Sequence, residues 1–96
     1  AEEKKQILHK LSEYKPIDEI HELQKGRHVR WIRKTQTNVT NGGILVDVKF
    51  LHTGTHILCM NHQKKFIQYK WDDCITYQKM TPEELCIQYL SKTIIS

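Results

Sequence analysis

GGILVDVKFLHTGTHILCMNHQKKFIQYKWDDCITYQKM, residues 42–80, decides how the chain reads. Apolar and polar residues alternate through four runs, interrupted at Thr53-Gly54, at Asn61-His62-Gln63-Lys64 and at Asp72-Asp73. Alternation with a period of two marks strands that bury one face, and short clusters of Gly, Asn and Asp mark the turns between them. Strands are expected over residues 43–51, 55–61, 65–71 and 74–80. The first is the clearest: Ile44, Val46, Val48 and Phe50 share one face, opposite Asp47 and Lys49, and are expected to form the core.

Residues 27–34 add another strand. Val29 and Trp31 fall on one side of it, and His28, Arg30 and Lys34 on the other. The polar stretch that follows ends in Asn41-Gly42, a strong turn signal. Five short antiparallel strands joined by tight turns after one long loop are the pattern of a small barrel. By the same alternation Trp31, Tyr69 and Trp71 belong to the core.

Helices are expected on both flanks. Ile7, Leu8 and Leu11 recur at helical spacing behind Glu2 and Glu3, which suits a helix over about residues 2–14. Pro16 breaks it, and Ile17, Ile20 and Leu23 suggest a second short helical turn begun at the proline and closed by Gly26. At the other end Thr81-Pro82-Glu83-Glu84 is a capping box with Pro at the first helical position. Leu85, Cys86, Tyr89, Leu90 and Ile94 form the apolar side of the helix it opens.

With 96 residues, 39% hydrophobic and 27% charged, the chain is long enough for one modest core and no more. It reads as one domain: a helical preface over 1–24, a barrel over 25–80 and a helix over 81–96. The charged start AEEKKQILHK and the lack of a run of about 18 apolar residues predict no membrane insertion. Cys59, Cys74 and Cys86 are an odd number without a CxxC pair, so they read as buried small hydrophobes in a reducing, intracellular compartment.

The strand GRHVRWI, its polar loop, and then GGILVDV followed by three short strands resemble SH3-like barrels, the architecture of Tudor, chromo-related and viral small-barrel modules. The same residues look more loosely like barrel domains in proteins of nucleocytoplasmic large DNA viruses. The resemblance spans residues 23–80. It implies a five-stranded antiparallel SH3-like barrel and a viral interaction module, in the cell or in the virion; it leaves the terminal helices unexplained, and with those helices, read from their spacing and capping box, the expected fold is α+β, mainly β.

Charge points to function more than any motif does. Between Lys25 and Lys70 there are nine Lys or Arg and one acid, Asp47, a balance of +8. The flanks carry six bases against ten acids. Lysines that protect sheet edges explain many charges but not a single sign. Arg27, His28, Arg30, Arg33, Lys34, Lys64, Lys65 and Lys70 are therefore the candidate binding residues, for nucleic acid through its phosphates or for an acidic protein partner. The terminal helices could join copies of the chain into a homo-oligomer.

No catalytic signature is present, and no enzyme, cofactor or small-molecule substrate is expected. His52, His56, Cys59 and His62 are potential zinc ligands, but His56 and Cys59 lie three apart on a strand and point to opposite faces. Turn and surface histidines are the plainer reading, and no metal is expected.

Overall fold

A computed structural model describes residues 11–95, with the backbone alone at positions 89 and 91–95. Its elements are β1 (Tyr14–Ile17), β2 (His28–Arg33), β3 (Gly43–Leu51), β4 (Gly54–Met60), β5 (Phe66–Lys70), β6 (Cys74–Lys79) and the helix α1 (Pro82–Ile95). Two 3-10 turns, Ile20–Glu22 and Trp71–Asp73, punctuate them. The strands form one six-stranded sheet in the order β1-β6-β2-β3-β4-β5, and every pairing is antiparallel. The fold is α+β and mainly β. No helix among the described residues is long and apolar enough to cross a membrane.

Three expectations need correction. The hydrogen-bonded order is that of an open six-stranded sheet with β1 and β5 at its edges, not a closed five-stranded barrel. The expected N-terminal helix lies outside the described residues up to position 10. From there residues 11–13 form a turn and Tyr14–Ile17 is a strand paired with β6, so neither the end of that helix nor a helical turn begun at Pro16 is present. Pro16 is compatible with a strand because β1 is an edge. Met80 N–H donates to Glu13 C=O at 2.9 Å, and alternation along the ladder then turns the Pro16 nitrogen away from β6.

The third correction concerns the core face of β3. Leu45 is 2% exposed, whereas Ile44 is 42% and Phe50 73% exposed. A bulge explains why Leu45 is buried in place of Ile44; Val48 packs against the core as expected, and Phe50, on the Val48 face, is exposed near the end of the strand. Leu45 pairs with Cys59 and Asp47 with Leu58, so Val46 is an extra residue in the ladder. After it, Leu45 and Val48 reach the same face although they are three apart in sequence.

The core gathers Val29, Trp31, Leu45, Ile57, Cys59, Tyr69 and Cys74, with Val48, Ile67 and Trp71 packed against it. Trp31 on β2 stacks on Tyr69 on β5, ring centroids 4.2 Å apart and planes 20° apart. The Tyr69 hydroxyl also meets Thr76 Oγ1 on β6 at 2.8 Å. Strands far apart in hydrogen-bonding order therefore face each other across a curled sheet. The inner face of β6 is largely polar. Buried Gln78 accepts from Gln24 N–H at 2.9 Å and donates to Glu22 C=O at 3.3 Å, tying the first 3-10 turn to the sheet.

Gly42 and Gly43 serve a close approach. Gly42 has φ +73, and a Cβ there would lie 1.9 Å from Val29 O; one at Gly43 would lie 2.6 Å from Met60 O. Helix α1 starts as its capping box requires: Glu84 N–H donates to Thr81 Oγ1 at 3.1 Å, and Thr81 N–H donates to Glu84 Oε1 at 3.0 Å. Beyond that turn Cys86, Ile87 and Leu90 are exposed. Cys86 is thus not the buried residue its spacing suggested, while Cys59 and Cys74 are buried; all three thiols are free.

Candidate functional site

The eight candidate residues divide into two groups. Arg27, His28 and Arg30 belong to the side of the molecule formed by β1, β6 and the start of α1. The Arg27 guanidinium donates to the Lys79 carbonyl, to Gln24 Oε1 at 2.9 Å and to Glu84 Oε1 at 3.2 Å. The other Glu84 oxygen pairs with Lys15. Hydrogen bonds from Lys15 and from the Thr81 N–H, then Arg27, hold the Glu84 carboxyl down to about 2. Arg27 is thus engaged within the chain.

His28 Nδ1 lies 2.7 Å from the Tyr14 hydroxyl, and the Arg30 guanidinium carbon sits 5.3 Å from the Tyr14 ring centroid. Burial, then the charges of Arg30 and Lys79, lowers the His28 pKa. The lowered pKa favours the neutral imidazole at pH 7, and Nδ1 shares one hydrogen bond with the phenol, with the tautomer setting which of the two donates. Arg30 is half-buried, and its Nε has no hydrogen-bond partner among the described residues.

Arg33, Lys34, Lys64, Lys65 and Lys70 form the second group. All five are exposed, and among the described residues none has a carboxylate partner. Lys49 joins them, because the register Lys49↔His56↔Lys70 places it in one row across β3, β4 and β5. The turn between β4 and β5 is built to project its lysines. Asn61 Oδ1 accepts from the N–H groups of Gln63 and Lys65, each at 2.9 Å, and Lys64 takes φ 62.

Two clefts adjoin β5. One, of ≈ 340 Å³, has Trp31, Ile67 and Tyr69 as its apolar lining, with Arg33, Asn41 and His62 among its polar groups. The other, of ≈ 320 Å³, is lined by Arg33, His56, Gln68, Lys70 and Asp73, among others. The first has no carboxylate in its lining. Trp31 and Tyr69 are 3% and 4% exposed and nearly parallel, so they supply neither the walls of an aromatic cage for a methylated cation nor an open face for stacking a base.

The potential zinc ligands are dispersed. His52 and His62 are exposed in the turns at opposite ends of β4, His56 bonds Gln68 Nε2 at 3.1 Å, and Cys59 is buried in the core. No group of three His, Cys, Asp or Glu converges among the described residues. Burial pushes the Cys59 thiol up to about 12, and burial first also raises Cys74, so both are held as thiols.

Two elements escaped sequence reasoning. Tyr14, which organises His28 and Arg30, was hidden in a stretch read as helix. The open edge of β5 was hidden by the expectation of a closed barrel, and only the lysines crowded around residues 64–70 hinted at it. No protein-family model, curated protein or solved structure matches the chain.

Proposed function

We propose that this domain is a non-enzymatic interaction module that contacts nucleic acid through phosphates, using the surface around β5 and the end of β2. One observation carries the reading: Arg33, Lys34, Lys49, Lys64, Lys65 and Lys70 are exposed without a carboxylate partner among the described residues, while Lys15, Lys25, Arg27 and Lys79 are paired. Exposed, unpaired cations attract a polyanion independently of its sequence.

The run β2 to β6, in which β6 returns beside β2, supports the SH3-like relation, with the curled sheet as its frame. The unpaired, buried thiols suit a reducing, intracellular setting.

The experiment is a titration of fluorescent single- and double-stranded oligonucleotides at several salt concentrations. Binding is expected to weaken steeply with salt and to fall when Lys64, Lys65 and Lys70 are changed together to Gln. No binding, or binding indifferent to salt, overturns the reading. Arg27 does not belong in such a variant, because removing it unfastens the helix cap. An adaptor role toward an acidic protein surface is the second reading, favoured by the open strand edge of β5.

A further inference from the structure

The backbone of β5 is only half used. Asn61 N–H donates to Lys65 C=O at 2.9 Å, which fixes the phase of the β4–β5 ladder. With the register Cys59↔Ile67 and Ile57↔Tyr69, alternation directs the backbone groups of Ile67 and Tyr69 toward β4. Those of Phe66 and Gln68 then face the open edge, where β5 has no neighbouring strand among the described residues. Such an edge offers alternating donors and acceptors to an incoming extended chain.

The two clefts adjoin this edge. The first has the inner-face side chains Trp31 and Ile67 in its lining; the second has the outer-face His56 and Lys70, together with buried Cys74. Arg33, Gln68 and Tyr69 line both. Successive side chains of a strand added to β5 would alternate between the Ile67 face of the sheet, beside the first cleft, and the face of His56 and Lys70, beside the second. The first would take an apolar side chain against half-buried Ile67. The second holds Arg33, Lys70 and His56 against Asp73 alone, and would take a carboxylate.

We propose that the free edge of β5 binds an extended peptide segment of a partner protein in which acidic and apolar side chains alternate, added as a further strand of the sheet. This goes beyond phosphate contact and rests on a different observation, the unused backbone edge. A phosphodiester chain has no N–H donors and would leave the carbonyls of Phe66 and Gln68 unanswered, whereas a peptide answers both kinds of group. A second copy of β5 is disfavoured, since it would bring Lys64, Lys65 and Lys70 against their own kind.

The test uses the whole chain and an acetylated, amidated peptide of alternating Glu and Val. Its controls are a block isomer of the same composition, the alternating peptide N-methylated at its sheet-facing amides, and a single-stranded oligonucleotide. The alternating peptide is expected to bind at least about tenfold tighter than either peptide control, because N-methylation removes one or two backbone hydrogen bonds and the block order sets half of the side chains against the wrong face. It should also slow amide exchange at Phe66 and Gln68. Gln68→Pro, which deletes one edge N–H and none directed at β4, should weaken the peptide and spare the oligonucleotide.

Equal binding by all three peptides, or unchanged exchange at Phe66 and Gln68, overturns the inference in favour of charge alone. Should Gln68→Pro fail to fold, the N-methylated peptide on the unaltered protein decides. Oligonucleotide binding without peptide binding overturns this inference and leaves the phosphate reading standing; the reverse result removes the phosphate reading only.

Discussion

Arg27 precedes β2 and Arg33 ends it, and the two guanidiniums have opposite surroundings. Arg27 is enclosed by Gln24, the Lys79 carbonyl and Glu84, with Lys15 completing the cluster. Arg33 is exposed beside two clefts and has no carboxylate partner among the described residues. The first arrangement spends charge on structure, fastening α1 and β1 to the sheet. The second leaves charge available to a ligand. Sign and residue type are the same in both, so function here follows from what each cation lacks.

The stack of Trp31 on Tyr69 joins these regions, and its loss is the largest effect expected. Trp31→Ala should cost about 3–5 kcal/mol, as removal of a buried Trp does, read from the urea midpoint. A cost near zero would mean that the two regions do not share a core.

Arg27→Ala comes next. Removing a guanidinium that donates to charged and carbonyl acceptors should cost about 1–3 kcal/mol and leave oligonucleotide binding unchanged. Lys70→Ala should do the reverse, shifting stability by no more than about 0.5 kcal/mol while weakening binding. If both variants moved both quantities alike, the division between the regions would fail.

Acid sharpens the same contrast. The Glu84 carboxyl falls from its ordinary 4.5 to about 2 in the folded chain. A depressed carboxylate pKa adds stability that is complete above the unfolded value and is lost as pH falls from 4.5 toward 2. Melting temperature should therefore drop across that window, and drop less in Glu84→Gln, which begins from a lower value at pH 7. Identical profiles would show that Glu84 is not the group that fastens the helix.

The turns of this chain were legible and its pairings were not. Strands β3 to β6 begin and end close to the expected boundaries because Gly54, Asn61 and Asp72-Asp73 state their turn chemistry locally. The core face of β3 was misread in its first half, Ile44 for Leu45, because nothing in ILVDV announces the bulge at Val46, and one extra residue sets Ile44 and Val48 on opposite faces. Tyr14–Ile17 was misread because a proline breaks helices and also suits edge strands, and β6 decides between them from the far end of the chain. The candidate site divided for a similar reason. Arg27 and Lys65 look alike in sequence, and what separates them is Glu84, 57 positions beyond Arg27.

Lys64 offers the smallest and sharpest test. Its φ of 62 lies in the left-handed region, where a side chain costs about 1 kcal/mol that glycine avoids. Glycine gives part of this back by loosening the unfolded chain, so Lys64→Gly should raise stability by about 0.5 kcal/mol or leave it level. The same change removes one cation beside β5. If that cation meets a phosphate, the slope of log affinity against log salt should fall by about 0.7–0.9. Stability and binding would then move in opposite directions at one residue, as they do where a side chain is kept for what it contacts outside the chain. Lys64→Asn separates the causes, since Asn tolerates this φ and also lacks the charge. Equal binding losses in the two variants trace the effect to charge, whereas a loss with Gly alone traces it to a loosened turn and removes Lys64 from the binding surface.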